Sequence, residues 1–395
     1  MASVVVNPRI RGFICTSAHP EGCARNVATQ IAVAAAKPGP ALGNVLVVGS
    51  SAGYGLSSLI TAVWGHGAKA LAVSFERPAQ GERTASAGWY NLAAVTANAK
   101  ATGKQVETLI GDAFSAAIKE QAIAALKARF GKIDLLVYSL AAPKRTDHAG
   151  VVHSSCLKTI GEPHTSKTVD LDTDVIKEIT LTPSTEAEIG GTVKVMGGED
   201  WQLWIDALSA ADLLAPGFRT VAYSYIGPKL TAAMYRSGTI GRAKDHLEAT
   251  GRSLNASLAK NHGGGAWVSV NKALVTQASS AIPVVPLYTA ILYQVMRAKG
   301  THEGTIEQMV RLFRDHLAPG RTPVTDAQGR IRVDDLEMAE DVQAEVHRRW
   351  AIIDTGNLSQ LSDFVGFKKE FRNLFGFEVD GVDYALPVEV ERALG

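Results

Sequence analysis

The sequence predicts an α/β fold, a doubly wound parallel sheet carrying additional N-terminal, inserted and C-terminal elements. Three observations predict it. The apolar run Val45–Val48 closes on a glycine cluster and passes straight into a helical pattern. Strand-like and helix-like segments then alternate as far as Ala142, as they do when right-handed crossovers build a parallel sheet. Long stretches before, within and after this alternation do not follow it.

Taken in order, residues 22–37 read as a leading helix ended by the breaker run Lys37–Pro40. The first strand begins at Asn44, and its helix follows over 57–66. Further strands are expected at 71–76, 106–113 and 133–142, with helices at 86–101 and 115–130 between them. In such a Rossmann-like sheet the strand C-termini share one edge, where ligands collect. Residues 151–198 are polar and threonine-rich, with two short strands inside 167–183, and read as an insertion on the substrate side of the fourth strand. A helix at 199–214 and a fifth strand at 219–227 follow, with a sixth strand expected around Ile282–Val285 before a helix from near Leu287. From residue 320 a C-terminal extension holds an amphipathic segment at 334–350 and an aromatic stripe at 364–377, both read as packing surface. The expectation is one Rossmann-type domain over 1–395, with 151–198 inserted and 320–395 packed on its core.

Composition narrows the function classes. With 40 Lys and Arg against 39 Asp and Glu, no chain-wide field draws the protein to nucleic acid or an anionic membrane. Cys15, Cys23 and Cys156 lack metal-ligand or disulfide spacing, so neither a metal nor a disulfide framework is expected. The N-terminal apolar run is cut by Asn7, Pro8, Arg9 and Arg11, and the longest apolar stretch is broken by Pro283, Pro286 and Gln294. Neither membrane insertion nor export is expected, and the location read from this is cytoplasmic.

The chemistry starts at the first strand-to-helix turn. Gly49, Gly53 and Gly55, spaced G-x-x-x-G-x-G, let the backbone turn sharply and approach a pyrophosphate. Ser50, Ser51 and Tyr54 share this loop and are assigned with the glycines to the cofactor. Glu76, with Phe75 before it, ends the second strand, where a carboxylate accepts both ribose hydroxyls and repels a 2′-phosphate. That favours NADH over NADPH, although the adjacent Arg77 is placed to reverse the preference. Asp112 with Ala113 is expected beside the adenine, and Leu140 with Ala141 beneath the nicotinamide ribose.

Past the fifth strand come Tyr223, Tyr225, Tyr235 and Lys244. On one unbroken helix Tyr235 and Lys244 would lie on opposite faces, so cooperation needs a break, which Ser237, Gly238 and Thr239 supply, with Ser237 or Thr239 available as N-cap. A lysine there can hydrogen-bond the nicotinamide ribose and lower the pKa of a neighbouring phenol.

With these residues in view, the chain resembles the FabV-type trans-2-enoyl-ACP (enoyl-CoA) reductases. The likeness runs end to end, through GSSAGYGLSS, SFE, YSYIGP, Tyr235-x8-Lys244, KALVTQASSAIPVVPLY and LFGFEVDGVDY. Ordinary short-chain dehydrogenases place three residues between that tyrosine and lysine, and the commoner enoyl-ACP reductases six. The resemblance implies a largely monomeric, NADH-dependent enzyme. It would reduce the trans-2 double bond of enoyl-ACP or enoyl-CoA thioesters, the last step of type II fatty-acid elongation, and be insensitive to triclosan. It also implies a substrate-binding helix after the sixth strand. By position it puts the substrate-carbonyl tyrosine on Tyr225, the proton-donating tyrosine on Tyr235, the cofactor lysine on Lys244 and the nicotinamide-side loop on Leu274, Val275 and Thr276. Ala52 stands where many members have serine, a change that leaves backbone contacts intact. Acyl carrier protein is acidic, which makes Lys144, Arg145, Arg236 and Arg242 candidates for a docking patch. Two other readings compete: a carbonyl-reducing short-chain dehydrogenase, disfavoured by Thr239 standing where its lysine would fall, and a non-catalytic NADH-binding regulator, which has no use for the Tyr225, Tyr235 and Lys244 cluster.

Overall fold

The computed structural model describes residues 3–395. Helix α1 (Pro20–Ala35) leads into β1 (Asn44–Val48), α2 (Gly53–Ile60), β2 (Lys69–Ser74), α3 (Ala87–Ala101), β3 (Val106–Ile110), α4 (Ala116–Arg129) and β4 (Ile133–Tyr138). The insertion contributes a hairpin of β5 (His164–Val169) and β6 (Ile176–Leu181), then α5 (Glu186–Met196). The core resumes with α6 (Glu199–Ala210), β7 (Leu214–Ser224), the one-turn α7 (Ala232–Tyr235), α8 (Thr239–His262) and β8 (Gly265–Val270). Beyond lie α9 (Gln277–Ser280), α10 (Val285–Ala298), α11 (Thr305–Leu312), β9 (Ile331–Arg332), α12 (Glu340–Ile352) and, after a further helical turn, α13 (Phe364–Asn373).

Seven strands form one parallel sheet in the order β9-β8-β7-β4-β1-β2-β3. Its order reverses between β1 and β4, which register Val48 against Tyr138, and a doubly wound sheet opens its ligand crevice at that reversal. The period-two alternation of β1 splits its side chains between two cores. Val45 and Val47 pack with α1, α2, α3 and α11, whereas Leu46 and Val48 pack with α4, α6 and α8. Burial on both faces explains why the strand reads as one continuous apolar run.

A third core joins the C-terminal extension to the sheet edge. Phe364, Phe367, Phe371, Phe375 and Phe377 pack with α10 and with Ala273, Leu274 and Val275. Each buried ring contributes about 1.5–3 kcal/mol, so the aromatic stripe serves as packing surface, as its spacing predicts. Ser3–Val4 also pairs with Val388–Glu389, bringing the two ends of the chain together. Among the described residues no helix is long and apolar enough to cross a membrane.

Two expectations are corrected. The sixth strand is β8, not Ile282–Val285, which forms the turn entering α10. Pro283 and Pro286 have no N–H to give a central ladder, and Val284 sits at φ +72°, incompatible with a strand. The insertion holds helix α5 as well as the two expected strands; a capping box joins Thr185 and Glu188 at its start.

Candidate active site

The glycine loop is shaped by close approaches. A Cβ on Gly55 would fall 1.8 Å from the Gly49 carbonyl oxygen, and one on Gly49, at φ +86°, would fall 2.1 Å from that of Ser139. Only glycine fits this tight turn. The N-cap residue of α2, Ala52, makes no side-chain cap bond, so the helix start is left open to an anion. The loop's other side chains have separate tasks. Ser50 bonds Ser74 Oγ at 2.8 Å and so ties β1 to β2, while the Tyr54 hydroxyl donates to the Lys272 carbonyl at 2.7 Å.

Glu76 is a held carboxylate. The Ser51 hydroxyl donates to its Oε1 at 2.6 Å, and Ser86 donates to Oε2. Gly88 packs so closely on it that a Cβ there would fall 2.1 Å from Oε1. The Arg77 guanidinium donates to the Thr84 carbonyl at 3.3 Å, leaving Glu76 with the serines. Phe75, 78% exposed, offers a flat apolar face beside it. A cleft of about 640 Å³ runs along this edge, lined by Gly53, Phe75, Glu76, Ser86, Leu274 and Val275 among others.

The remaining strand-end residues lie outside that cleft's lining. Asp112 Oδ1 accepts from the Phe114 amide at 3.0 Å. The buried Ala113 gives its carbonyl to Lys119 Nζ and Trp204 Nε1. Leu140 packs partly buried beside Gly49, and Ala141 is exposed. On the opposite side the Val275 amide donates to the Tyr293 hydroxyl at 3.0 Å, and Thr276 caps α9 through Ser279.

The tyrosines and the lysine of the second group lie at and beyond the end of β7. The rings of Tyr225 and Tyr235 meet edge to face, with centroids 4.7 Å apart. Tyr235 ends α7, the chain breaks at 236–238, and Lys244 lies in the second turn of α8, as cooperation between them requires. The N-cap is Gly238 rather than Ser237 or Thr239, because a Cβ there would come within 2.7–2.8 Å of the carbonyls of Lys158, Ala233 and Met234. Thr239 instead donates to the Cys156 carbonyl at 2.6 Å. Lys244 Nζ donates to the Tyr223 carbonyl at 3.3 Å, and burial brings its pKa down to about 8, opposed by the charge of Glu248. Burial pushes the Tyr235 phenol upward, with the Glu337 carboxylate adding to the shift. The Tyr235 hydroxyl makes no hydrogen bond among the described residues, whereas Tyr225 donates to Glu337 at 3.0 Å. Met234, Ile240, Val284, Val285 and Leu181 enclose Tyr235 in apolar side chains.

Sequence reading missed Glu337, Tyr288, Ser86 and Lys272. Glu337 lies in the acidic run 334–341, where nothing separates it from solvated neighbours, and only the fold buries it. Of the docking candidates, Arg145 is removed: it is 2% exposed and bound to Glu199 at 2.8 Å. Lys144 and Arg242 are exposed, and Arg236 faces Asp245 and Glu248.

A parallel sheet with a glycine turn at its order reversal, a fixed carboxylate after the second strand, and an edge-to-face tyrosine pair with a lysine after the fifth define a dinucleotide-dependent oxidoreductase. Known proteins narrow the class. Residues 83–318 match the family described as the trans-2-enoyl-CoA reductase catalytic region, and residues 5–81 match its NAD(P)H binding domain. An enoyl-[acyl-carrier-protein] reductase [NADH] of Opitutus terrae is 52% identical over 98% of both chains. A trans-2-enoyl-CoA reductase [NADH] of Clostridium perfringens is 54% identical, over 98% of this chain and 99% of its own. The crystal structure of Treponema denticola trans-2-enoyl-CoA reductase in complex with NAD superposes with a TM-score of 0.92 at 47% identity, covering 96% of this chain and 97% of that one. The chain belongs to the trans-2-enoyl-CoA reductase family.

Residues 325–388 match a segment described as an enoyl reductase FAD binding domain. Their arrangement does not suit a second dinucleotide. The strands they contribute are two residues long, no glycine turn joins a strand to a helix, and their aromatic rings are spent in the core. The nicotinamide dinucleotide, by contrast, fits the turn at Gly49–Gly55 and the held carboxylate of Glu76.

Proposed function

We propose that the chain reduces the trans-2 double bond of enoyl thioesters, carried on CoA or acyl carrier protein, to the saturated acyl thioester with NADH. The observation that carries this is the break at 236–238 that sets Tyr235, whose hydroxyl makes no hydrogen bond among the described residues, just before the helix bearing Lys244, in a sheet whose glycine turn and held Glu76 carboxylate suit a dinucleotide.

Bound NADH supplies the hydride, which goes to the β-carbon of the thioester. The residues do the rest. Glu76, fixed by Ser51 and Ser86, takes the adenosine ribose hydroxyls and disfavours a 2′-phosphate. Lys244 takes the nicotinamide ribose, and Leu274, Val275 and Thr276 wall the nicotinamide side. Negative charge develops on the thioester oxygen, and the Tyr235 hydroxyl donates to it inside an apolar shell that excludes water and strengthens the bond. Tyr225, packed edge-on, orients the same oxygen. Asp112 and Ala113 at the adenine, and Leu140 and Ala141 at the nicotinamide ribose, complete the proposed cofactor contacts.

In this reading the reaction is the final reduction of type II fatty-acid elongation, carried out by a monomeric, cytoplasmic enzyme relatively insensitive to triclosan. The resemblance to the FabV-type reductases supports that reading; size-exclusion chromatography and triclosan titration test it. The central experiment follows NADH oxidation with crotonyl-CoA, with NADPH in parallel. Turnover with NADH and little with NADPH is expected. NADH binding without oxidation across a panel of enoyl thioesters would overturn the proposal in favour of a sensor.

A further inference from the structure

Glu337 joins three parts of the site. It lies just before α12 with none of its surface exposed. Its Oε1 accepts from the hydroxyls of Tyr225 at 3.0 Å and Tyr288 at 2.7 Å. Its Oε2 accepts from the amide of Ala273, the residue before Leu274–Thr276, at 2.7 Å. Gln343 Nε2 closes the network, donating to the Tyr288 hydroxyl at 3.1 Å and to the Glu337 carbonyl at 2.7 Å.

The carboxyl is poorly placed for a purely structural role. Lys272, the buried lysine beside it, gives its ammonium to the Ala273 carbonyl at 3.1 Å and lies over the Tyr293 ring, so no ion pair neutralises Glu337 among the described residues. A buried carboxylate without a salt bridge is costly to keep, and its acceptors are filled here by a reactive-site phenol and a cofactor-loop amide.

Resting on the reading of Tyr225 given above, we infer that Glu337 is a positioning residue. It holds the Tyr225 phenol in register with the nicotinamide-side loop, and whether it carries a proton decides if the Tyr225 hydrogen faces inward or toward the thioester oxygen. Ionised, Glu337 accepts the Tyr225 hydrogen. Protonated on Oε1, it donates to the Tyr225 oxygen, whose own hydrogen then turns to the substrate. Burial raises the carboxyl above its usual range, which favours the protonated form; the phenols of Tyr225, Tyr288 and Tyr235, the ammonium of Lys272 and the carboxylate of Asp334 face it. The Ala273 amide fixes how a glutamine would sit. In Glu337→Gln the amide oxygen faces that donor and the NH₂ donates to the Tyr225 oxygen, as the protonated acid does; toward Tyr288 it differs, offering a donor where the acid accepts.

The full-length variants Glu337→Gln, Glu337→Asp, Tyr225→Phe and Tyr225→Phe/Glu337→Asp test this, with steady-state kinetics on crotonyl-CoA and NADH affinity from cofactor fluorescence. Glu337→Gln is expected to keep kcat within about threefold of the parent. Glu337→Asp, whose carboxylate is one carbon shorter, is expected to lose about tenfold or more in kcat with NADH affinity within about threefold. In the Tyr225→Phe background the Asp substitution should cost less than about twofold more. Equal losses in Gln and Asp, a loss in the double variant that multiplies the single ones, or NADH affinity falling in step with kcat would each overturn the inference. If Tyr225→Phe alone leaves kcat unchanged, the assignment of Tyr225 fails and the inference with it; if Tyr225→Phe is impaired but Glu337→Asp acts independently, the inference alone fails.

Discussion

Replacing Tyr235 by phenylalanine separates chemistry from folding unusually well. The hydroxyl removed makes no hydrogen bond to the described residues, and the ring keeps its edge-on contact with Tyr225 and its apolar shell. Stability should therefore change by less than about 0.5 kcal/mol. A donor aimed at charge that develops only in the transition state is worth about 2.7–4 kcal/mol, so kcat should fall about 10²–10³-fold. Tyr225→Phe provides the contrast. It removes one of the three groups bonded to the Glu337 carboxyl, and leaving that buried oxygen short of a partner should cost about 1–3 kcal/mol of stability. The assays are turnover of crotonyl-CoA followed by nicotinamide absorbance, NADH affinity by fluorescence, and thermal unfolding of both variants. Tyr235 is not the proton donor if Tyr235→Phe weakens NADH binding as much as it lowers kcat, and its hydroxyl is not free of the fold if the variant lowers the melting temperature as far as Tyr225→Phe does.

Three further outcomes follow from the same geometry. Lys244, brought down to about 8 by burial, is charged below that pH and loses its proton above it, so kcat/KM for NADH should fall along a limb near pH 8; an arginine at 244, which keeps its charge, should move that limb to higher pH. Glu76→Gln removes the charge that disfavours a 2′-phosphate, and the NADH over NADPH preference in kcat/KM should shrink by about tenfold or more; an unchanged ratio would remove Glu76 from the ribose site. Gly55→Ala should abolish NADH binding, since its Cβ would fall 1.8 Å from a backbone oxygen, whereas Gly190→Ala, on the exposed face of α5 with nothing within 4 Å, should gain about 0.5–1 kcal/mol in unfolding experiments with activity intact.

In the sheet's first half the central β1 was legible because a strand buried on both faces leaves an unbroken apolar run, the half-buried edge strand β3 by its place in the alternation, and β1 to β4 each end within a few residues of the expected position. The sixth strand was not. Gly265–Val270 follows almost directly on the long α8 with no turn signal beyond its glycines, while the more apolar Ile282–Val285 draws attention; Pro283 within it and Pro286 after it weigh against a strand only once the sheet's central positions are known. Glu76 was legible by its distance from the glycine turn, but the serines that hold it were not, since Ser86 reaches it only after the chain folds back at the start of α3. Arg145 shows the reverse failure: a charge expected at the surface is taken up by Glu199 behind the insertion.

By itself the sequence determined what local spacing encodes: the strand, glycine turn and helix at Asn44–Ile60, the break between Tyr235 and Lys244, and the parallel order implied by alternating elements. Short-range sterics and hydrogen bonding leave these marks in local spacing and residue type, even where the final contact is distant, as between Gly49 and the Ser139 carbonyl. Only the tertiary structure decided that Glu337 and Tyr288, more than 40 residues apart, meet Tyr225 in one buried network. It alone decided that the C-terminal aromatic stripe packs against Ala273, Leu274 and Val275. Those contacts depend on which faces are left unburied once the sheet has formed, and that is settled by the packing of the whole chain rather than by any stretch of it.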